Sequence, residues 1–221
     1  MSASPHDATT YATRAARQVP GLHDLHRMAA ILLAEKVPAT GRVLVLGAGG
    51  GMELATFATM QPHWRFDGID PSPEMLDQAR LTLGDKATRV TLHQGYIDAA
   101  PPGPFDGATC LLTLHFLPPP ERLATLKAIA QRLSPGAPLV AAHHSAPSGP
   151  ARDLWLRRNA AWMIAGGVPE TQAIAGIATM KERLPMLSPA EDEALLAEAG
   201  FSDIQLFYAA LTFKGWVCTR N

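Results

Sequence analysis

A glycine-rich segment follows the first strongly apolar run of the chain, residues 42–46. Gly47, Gly49 and Gly51 recur there at two-residue intervals. Because glycine has no side chain, its backbone can approach a bound ligand closely. A dinucleotide-binding fingerprint would require glycine at Met52, so the spacing speaks against a nicotinamide dehydrogenase. We predict a cofactor-binding turn, although a glycine cluster taken alone also fits an ordinary tight turn.

A carboxylate stands at the end of the next apolar run. Asp70 follows residues 65–69 and lies nineteen positions beyond Gly51. At the end of a second parallel strand, such a carboxylate can accept hydrogen bonds from both hydroxyls of a ribose. The alternative is that Asp70 only caps a turn or the helix expected to begin near Ser72. Combined with the glycine segment, Asp70 predicts a site for a nucleoside-containing cofactor.

Two adjacent histidines follow the fifth apolar run, residues 139–142. Open α/β sheets bind ligands beyond the carboxyl ends of their strands, where His143 and His144 would lie. A neutral imidazole in that place can remove a proton from a hydroxyl or from a protonated nitrogen. We therefore predict that His143 or His144 acts as a general base. The alternative is that both histidines only pack the loop.

The elements that must position these residues follow a regular alternation. Five short apolar runs are separated by enough chain for crossover helices, which predicts a parallel sheet buried on both faces. Two last runs, near 204–208 and 211–218, predict an antiparallel hairpin. The fold class is α/β: a Rossmann-like, seven-stranded, mostly parallel sheet with an antiparallel C-terminal strand. The five runs are residues 42–46, 65–69, 89–93, 108–112 and 139–142.

The remaining segments predict one domain over residues 1–221, with an N-terminal helical cap segment over 1–40 and a helical insertion over 145–187. Apolar side chains of the insertion could roof an acceptor pocket or could only pack the insertion onto the sheet or onto a second subunit. These side chains are Trp155, Trp162, Met163 and Met180.

Composition excludes several classes of protein. The 221 residues carry a net charge of −1, so no global cationic field gathers nucleic acid. We expect no nucleic-acid partner, although the basic run of Arg152, Arg157 and Arg158 leaves a local RNA contact open. No metal-ligand spacing is present. No apolar run approaches a membrane span, and the N-terminus lacks the order of a signal peptide, so we expect a cytoplasmic protein without membrane contact.

The segment 46–53 resembles motif I of the class I S-adenosylmethionine-dependent methyltransferases. Segments 105–107, 114–118 and 133–137 resemble the same family in order and spacing. The resemblance implies S-adenosylmethionine as cofactor and S-adenosylhomocysteine as product. Tyr96 departs from the pattern because the family usually has an acid there, and Val45 stands where an acid often holds the ammonium group. Glu53 is a candidate substitute for that acid. The implied cofactor-binding residues are Gly47, Ala48, Gly49, Gly51, Asp70, Pro71, Met75, Gly95, Tyr96, Ile97, Leu111, Leu112 and His115.

Over nearly its whole length the chain also resembles carboxy-S-adenosylmethionine synthase and its methyltransferase-like relatives of tRNA wobble-uridine modification. Segments 17–21, 112–117 and 199–201 carry this resemblance, which also implies a homodimer. The arginine that binds the synthase's carboxylated cofactor falls near Thr179, with Arg183 a turn later. We therefore predict methyl transfer from ordinary S-adenosylmethionine to a small-molecule acceptor. A synthase-like tRNA-modification enzyme and a non-catalytic cofactor-binding protein remain the alternatives.

Overall fold

The computed structural model describes residues 15–221, which contain one seven-stranded sheet in the order β3-β2-β1-β4-β5-β7-β6. The pairs among β1 to β5 are parallel, and β7 runs antiparallel to both β5 and β6. This arrangement confirms the predicted mostly parallel α/β sheet. The strands are β1 Arg42–Leu46, β2 Arg65–Asp70, β3 Val90–Gln94, β4 Gly107–Leu111, β5 Pro138–His144, β6 Phe201–Ala210 and β7 Phe213–Arg220.

Helices connect the strands and cover both faces of the sheet. Two helices, α5 and α6, lie between β5 and α7, where residues 145–187 were predicted to form an insertion. Of the predicted cap segment 1–40, residues 1–14 lie outside the described residues. The helices are α1 Leu22–Ala34, α2 Met52–Met60, α3 Pro73–Leu83, α4 Pro119–Arg132, α5 Pro150–Ala165, α6 Glu170–Arg183 and α7 Pro189–Glu198.

The core is divided by the central strands into two apolar clusters. Every residue of β4 and of β5 is buried, as expected for parallel strands covered on both faces. Because side chains alternate along a strand, Val140 belongs to one cluster while Leu139 and Ala141 belong to the other. Helix α1 packs on the first side, and α4 packs on the second. The face to which a residue of β5 points therefore decides its surroundings.

Two helix starts confirm the predicted caps. Ser72 accepts a hydrogen bond from the backbone N–H of Met75 at 3.2 Å, ahead of Pro73. Ser188 and Glu191 form a reciprocal capping box at the start of α7. Each cap satisfies an N–H group that the helix itself leaves without a partner, and it contributes about 1 kcal/mol to stability. Both caps fix the direction in which a helix leaves the sheet.

A helix that crosses a bilayer must be both long and largely apolar. Within residues 15–221, no helix meets both requirements.

Candidate functional site

The glycine segment forms a tight turn between β1 and α2. Gly47, Gly49 and Gly51 have φ values of 82°, 47° and 80°, a region that favours glycine. A Cβ on Gly47 would lie 1.9 Å from Thr113 Oγ1, and a Cβ on Gly51 would lie 2.8 Å from the Cα of Ala79. Gly51 is therefore required for the packing of α2 against α3, and Gly47 for the close approach of Thr113. Gly47 and Gly49 also line a cavity, which Gly51 does not.

Asp70 ties the glycine turn to the end of β2. Its Oδ2 accepts a hydrogen bond from the Gly49 N–H at 2.8 Å, and its Oδ1 accepts one from the Ser72 N–H at 3.0 Å. A carboxylate offers about four lone-pair positions, so each oxygen keeps a position for a further donor. The predicted capping role and the predicted ribose contact are thus compatible with each other.

A first cavity of about 310 Å³ opens above this turn, at the carboxyl ends of β1, β2 and β4. We refer to it as the cofactor cavity. Its wall brings together most of the residues that the methyltransferase resemblance implied. These residues are Gly47, Ala48, Gly49, Asp70, Pro71, Met75, Leu111 and Leu112.

Other implied residues lie beside the cofactor cavity without lining it. Gly95 follows β3 and donates its N–H to the Asp70 carbonyl at 3.1 Å. Tyr96 is 65% exposed, and Ile97 packs against the core cluster on the α4 side of the sheet. His115 lines a second cavity. Contacts of Gly51, Gly95, Tyr96, Ile97 and His115 with the cofactor stay predictions.

Glu53 is the strongest polar feature of the cofactor cavity. It lies in the first turn of α2, is 5% exposed, and accepts a hydrogen bond from the Thr109 hydroxyl. Burial raises the pKa of this carboxyl to about 8, and the Thr109 hydrogen bond only partly opposes the rise. Among residues 15–221, no Lys, Arg or His forms an ion pair with Glu53. A buried carboxyl of this kind fits a ligand that brings its own positive charge.

A second cavity of about 660 Å³ adjoins the first, and we refer to it as the acceptor cavity. Leu112 and Phe116 contribute to the walls of both cavities. Leu112 has a φ of 58°, which residues other than glycine rarely adopt, directly after β4. The described residues that line the acceptor cavity include no Asp, Glu, Lys or Arg. The cavity therefore suits an uncharged molecule.

The histidine of β5 that reaches the acceptor cavity is His144. Its ring stacks on Phe213 with centroids 3.9 Å apart and meets the ring of His115 at 4.9 Å. Burial, followed by the charge of His143, lowers the pKa of His144 to about 3. Burial and the neighbouring histidines also hold the pKa of His115 well below its usual value. Both rings of the cavity are therefore neutral near pH 7.

His143 points to the opposite face of β5. Its Nε2 lies 3.1 Å from Asp192 Oδ1, and its ring centroid lies 5.3 Å from that of Trp216. Asp192 also receives Arg122 Nη1 at 2.6 Å. The residues that line the two cavities include His144 but not His143, because neighbouring side chains of a strand alternate in direction. The predicted choice between the two histidines is narrowed to His144, whose role as a base stays a prediction.

The apolar residues of the insertion also divide into those that line the acceptor cavity and those that do not. Met163 and Met180 line the acceptor cavity, as does Thr179, which stands near the position of the synthase arginine. Trp162 is instead largely exposed, and the ring of Trp155 lies under the Arg158 guanidinium at 4.5 Å. Only the two methionines have the position expected of a roof over the acceptor.

A metal site needs several His, Cys, Asp or Glu side chains around one point. Within residues 15–221, no three His, Cys, Asp or Glu side chains are placed to hold a metal ion together. Cys110 and Cys218 are both buried and free.

Known proteins with similar sequences indicate the family in which such a site occurs. The family described as a methyltransferase domain matches residues 44–139, which run from β1 into β5. The carboxy-S-adenosyl-L-methionine synthase of Chromohalobacter salexigens is 26% identical over 211 residues, which cover 93% of this chain and 78% of the synthase. These similarities support a class I S-adenosylmethionine-dependent methyltransferase.

Two further proteins are similar to this chain. The ubiquinone biosynthesis O-methyltransferase of Xanthomonas campestris is 33% identical over 122 residues, which cover 53% of this chain and 49% of that enzyme. A solved O-methyltransferase family protein from Burkholderia thailandensis shares the fold, with a TM-score of 0.68 and 16% identity over 98% of this chain and 61% of that one. The chain thus spans about half the length of the first of these proteins.

S-adenosylmethionine is the cofactor of this methyltransferase. The residues of the cofactor cavity fit it on two counts. Gly47 and Gly49 bring backbone without a side chain to the cavity wall, and Asp70 retains free acceptor positions beside them. The buried Glu53 carboxyl would gain a cationic partner from the sulfonium or the ammonium group. Glu53 was singled out in the sequence as a substitute for the acid missing at Val45, and its position in the cavity wall supports that substitution.

Proposed function

We propose that the protein methylates an oxygen of a small, uncharged, largely apolar acceptor that occupies the acceptor cavity. The observation that carries this proposal is the cavity itself: its wall combines neutral histidines with apolar side chains, and it adjoins the cofactor cavity. Bound S-adenosylmethionine supplies a methyl group on a sulfonium. Holding the two reactants in adjoining cavities replaces a bimolecular encounter by an oriented one, and this accounts for much of the acceleration of such displacements.

His144 is the proposed base for the hydroxyl of the acceptor. Its low pKa keeps the imidazole unprotonated over the whole range from pH 5 to pH 8, so a lone pair is always ready to receive the proton. His115 is also neutral and lies at the edge of the same ring. Positioned proton acceptors contribute roughly 10²- to 10⁴-fold to a rate, and most when their pKa lies near the working pH. Because the low pKa makes His144 a weak base, its contribution should lie at the lower end of this range.

The cofactor-binding roles belong to the same proposal. Asp70 would receive the ribose hydroxyls, Glu53 would face the positive charge, and Gly47 and Gly49 would let the backbone approach the amino-acid part. The N–H of Gly95 is bonded to the Asp70 carbonyl, and the polar contact with adenine would come from the backbone or from Asp98 in place of the usual acid.

The synthase-like alternative is favoured by the identity that extends over 93% of the chain. The chemistry of the acceptor cavity speaks against it, because a carboxylated cofactor requires a cation and the described lining contains none. Incubation with S-adenosylmethionine and prephenate, followed by mass spectrometry, separates the two functions. Formation of carboxy-S-adenosylmethionine would overturn the methyltransferase proposal.

The decisive test begins with the cofactor. Calorimetric titration should give saturable binding of S-adenosylmethionine and S-adenosylhomocysteine to the wild type and weaker binding to Asp70→Asn. A panel of hydroxylated aromatic compounds is then screened for methylated product with wild type, His144→Gln and the matched variant His143→Gln. Turnover that His144→Gln abolishes and His143→Gln retains supports the proposal. Cofactor binding without turnover on any acceptor would favour a non-catalytic binding protein.

Partners and location complete the proposal. We place the methyltransferase in the cytoplasm, because reducing conditions there keep free thiols such as the buried Cys110 and Cys218 reduced. Its partner is the small acceptor rather than a nucleic acid or a membrane, and the resemblance to the synthase group supports a homodimer. Residues 15–221 act as one catalytic domain, because both cavities open at one edge of a single sheet.

A further inference from the structure

We infer that Thr212 and Asn159 are positioning residues that hold His144 in the tautomer protonated on Nδ1, with the lone pair of Nε2 directed to the acceptor. This inference rests on the proposed function, in which His144 removes the proton of the acceptor hydroxyl. It gives a role to two buried polar side chains. In the described structure, neither forms a hydrogen bond with the cofactor turn or with the ion pair on the opposite face of the sheet.

Three side chains form a continuous chain of hydrogen bonds behind the acceptor cavity. His144 Nδ1 lies 2.9 Å from Thr212 Oγ1, and Thr212 Oγ1 lies 3.1 Å from Asn159 Oδ1. All three residues are buried, and Thr212 has no exposed surface. Buried polar groups of this kind are stable only when each finds a partner, so the direction of every hydrogen bond matters.

The direction follows from counting protons. The amide Nδ2 of Asn159 faces the Met163 sulfur at 3.9 Å, which is a weak acceptor, and this contact turns Oδ1 toward Thr212. Because Oδ1 can only accept, the single proton of the Thr212 hydroxyl is donated to it. Thr212 Oγ1 is then left as an acceptor for His144, so the proton of a neutral His144 must lie on Nδ1.

In His115 the two ring nitrogens have the opposite roles. The backbone N–H of His144 points at His115 Nδ1 from 3.4 Å, so that nitrogen is the acceptor and the proton of neutral His115 lies on Nε2. Among residues 15–221, no group forms a hydrogen bond with Nε2 of either ring. The acceptor cavity therefore offers one imidazole acceptor and one imidazole donor. A hydroxyl group satisfies both, since it can donate to His144 and accept from His115.

The two positioning residues come from different parts of the fold. Asn159 lies on α5 of the insertion, and Thr212 lies in the turn between β6 and β7. The Thr212 carbonyl accepts a hydrogen bond from the Ser145 N–H at 2.8 Å, which fixes the turn against the residue that follows His144. Docking of the insertion and closure of the hairpin thus both determine which nitrogen of the base is free.

The tautomer can be measured without any acceptor. The full chain is labelled with ¹⁵N-histidine, and long-range ¹H–¹⁵N spectra distinguish the two neutral forms of each imidazole. We expect an Nδ1–H pattern for His144 in the wild type, identified as the signal set that His144→Gln removes. An Nε2–H pattern for His144 in the wild type would by itself overturn the inference, whatever the variants do.

Matched variants test the two positioning residues. Thr212→Val removes the hydroxyl and should move His144 toward the Nε2–H form, whereas Thr212→Ser keeps the hydroxyl and should restore the Nδ1–H form. Asn159→Leu gives a second route to the same result if Thr212→Val fails to fold. An unchanged His144 tautomer in a folded Thr212→Val or Asn159→Leu protein contradicts the inference.

Kinetics provides a separate readout once an acceptor has been found. Thr212→Val should lower kcat about 10²-fold, because most of the contribution of a general base is lost, while the KM for S-adenosylmethionine stays unchanged. Thr212→Ser should recover most of kcat. If the proposed methyl transfer is absent altogether, the tautomer measurement still stands, so failure of the inference and failure of the proposed function can be told apart.

Discussion

The two neighbouring histidines of β5 lie in opposite surroundings. His144 faces a cavity whose described wall contains no charged side chain, and its polar neighbours are Thr212 and His115. His143 faces the interior on the other side of the sheet, beside the buried ion pair of Arg122 and Asp192. The residue types are identical and the positions are adjacent. The direction of the side chain alone separates a candidate base from part of a structural ion-pair cluster.

This difference shows how one strand can serve function and stability at once. The carboxylate of Asp192 would be costly to bury alone, and Arg122, itself completely buried, compensates its charge. Burial acts to raise the pKa of Asp192, but His143, Ser145 and Arg122 together outweigh it and hold that pKa below its usual value. On the other face, burial without an anion keeps His144 uncharged. The two imidazoles therefore lie in different electrostatic surroundings.

The largest effect is expected on the cavity side of β5. His144→Gln should lower kcat by about 10²- to 10⁴-fold, because the acceptor loses its base, while the Kd for S-adenosylmethionine stays within a factor of two or so. Steady-state rates and calorimetry check this. The matched variant His143→Gln should keep turnover at near wild-type level. Equal losses of kcat in both variants would remove the functional difference between the two faces.

On the face of β5 that lies beside the ion pair, a substitution should change the stability of the protein. Arg122→Met leaves Asp192 buried without its cation, and the free energy of unfolding should fall by about 3–5 kcal/mol. Urea unfolding followed by circular dichroism measures this fall, with His144→Gln as the control on the opposite face. A loss below about 1 kcal/mol in Arg122→Met would mean that the pair contributes little to the fold.

A third change tests the cofactor cavity separately from either face of β5. Asp70→Asn weakens a charge-assisted acceptor, worth about 1.5–3 kcal/mol, so the Kd for S-adenosylmethionine should rise by roughly 10- to 150-fold. The exposed Asp77→Asn serves as a surface control. Unchanged cofactor affinity in folded Asp70→Asn would remove this residue from the binding site.

The stability of the cofactor-free protein should also depend on pH. The pKa of Glu53 is raised to about 8 in the folded protein, so its contribution to stability is fully present below the unfolded value of 4.5. That contribution is lost as pH rises toward 8, by at most about 1.4 kcal/mol per pH unit. Urea unfolding of the cofactor-free wild type at pH 5, 6.5 and 8 should show this slope.

Glu53→Gln is the control for that slope and should flatten it. His144 should give the opposite sign, since a lowered pKa makes its contribution to stability disappear as pH falls from 6.5 toward 3. Saturating S-adenosylmethionine should reduce the Glu53 slope by pairing the carboxylate with a cation. A slope of equal size in wild type and Glu53→Gln would contradict the buried, cation-free carboxyl.

Much of the fold followed from local patterns. The apolar runs, the crossover spacing and the caps at Ser72 and Ser188 predicted strands and helices whose bounds differ by a few residues from those observed. The glycine turn and Asp70 were likewise predicted to meet, because the carboxyl ends of parallel strands share one edge of the sheet. These features depend on neighbours in sequence or on the topology of the sheet.

The parts that could not be predicted depend on distant partners. Thr212 and Asn159 carried no sequence signal, because the hydrogen bonds of Thr212 with Asn159 and with His144 join residues 53 and 68 positions apart. Gly51 looked like a cofactor residue in its motif, yet Ala79 of a different helix accounts for its lack of a side chain. Arg122 and Asp192 come from two helices, and they meet only when α4 and α7 pack together.

The sequence by itself determined the α/β alternation, the glycine turn with its acid, and the presence of histidines at the ligand-binding edge of the sheet, since these follow from periodicity and local spacing. Only the tertiary structure decided which histidine faces the acceptor, which acid is buried beside the cofactor, and which glycine serves packing. The physical reason is that burial, charge compensation and tautomer are properties of surroundings assembled from elements far apart in the chain.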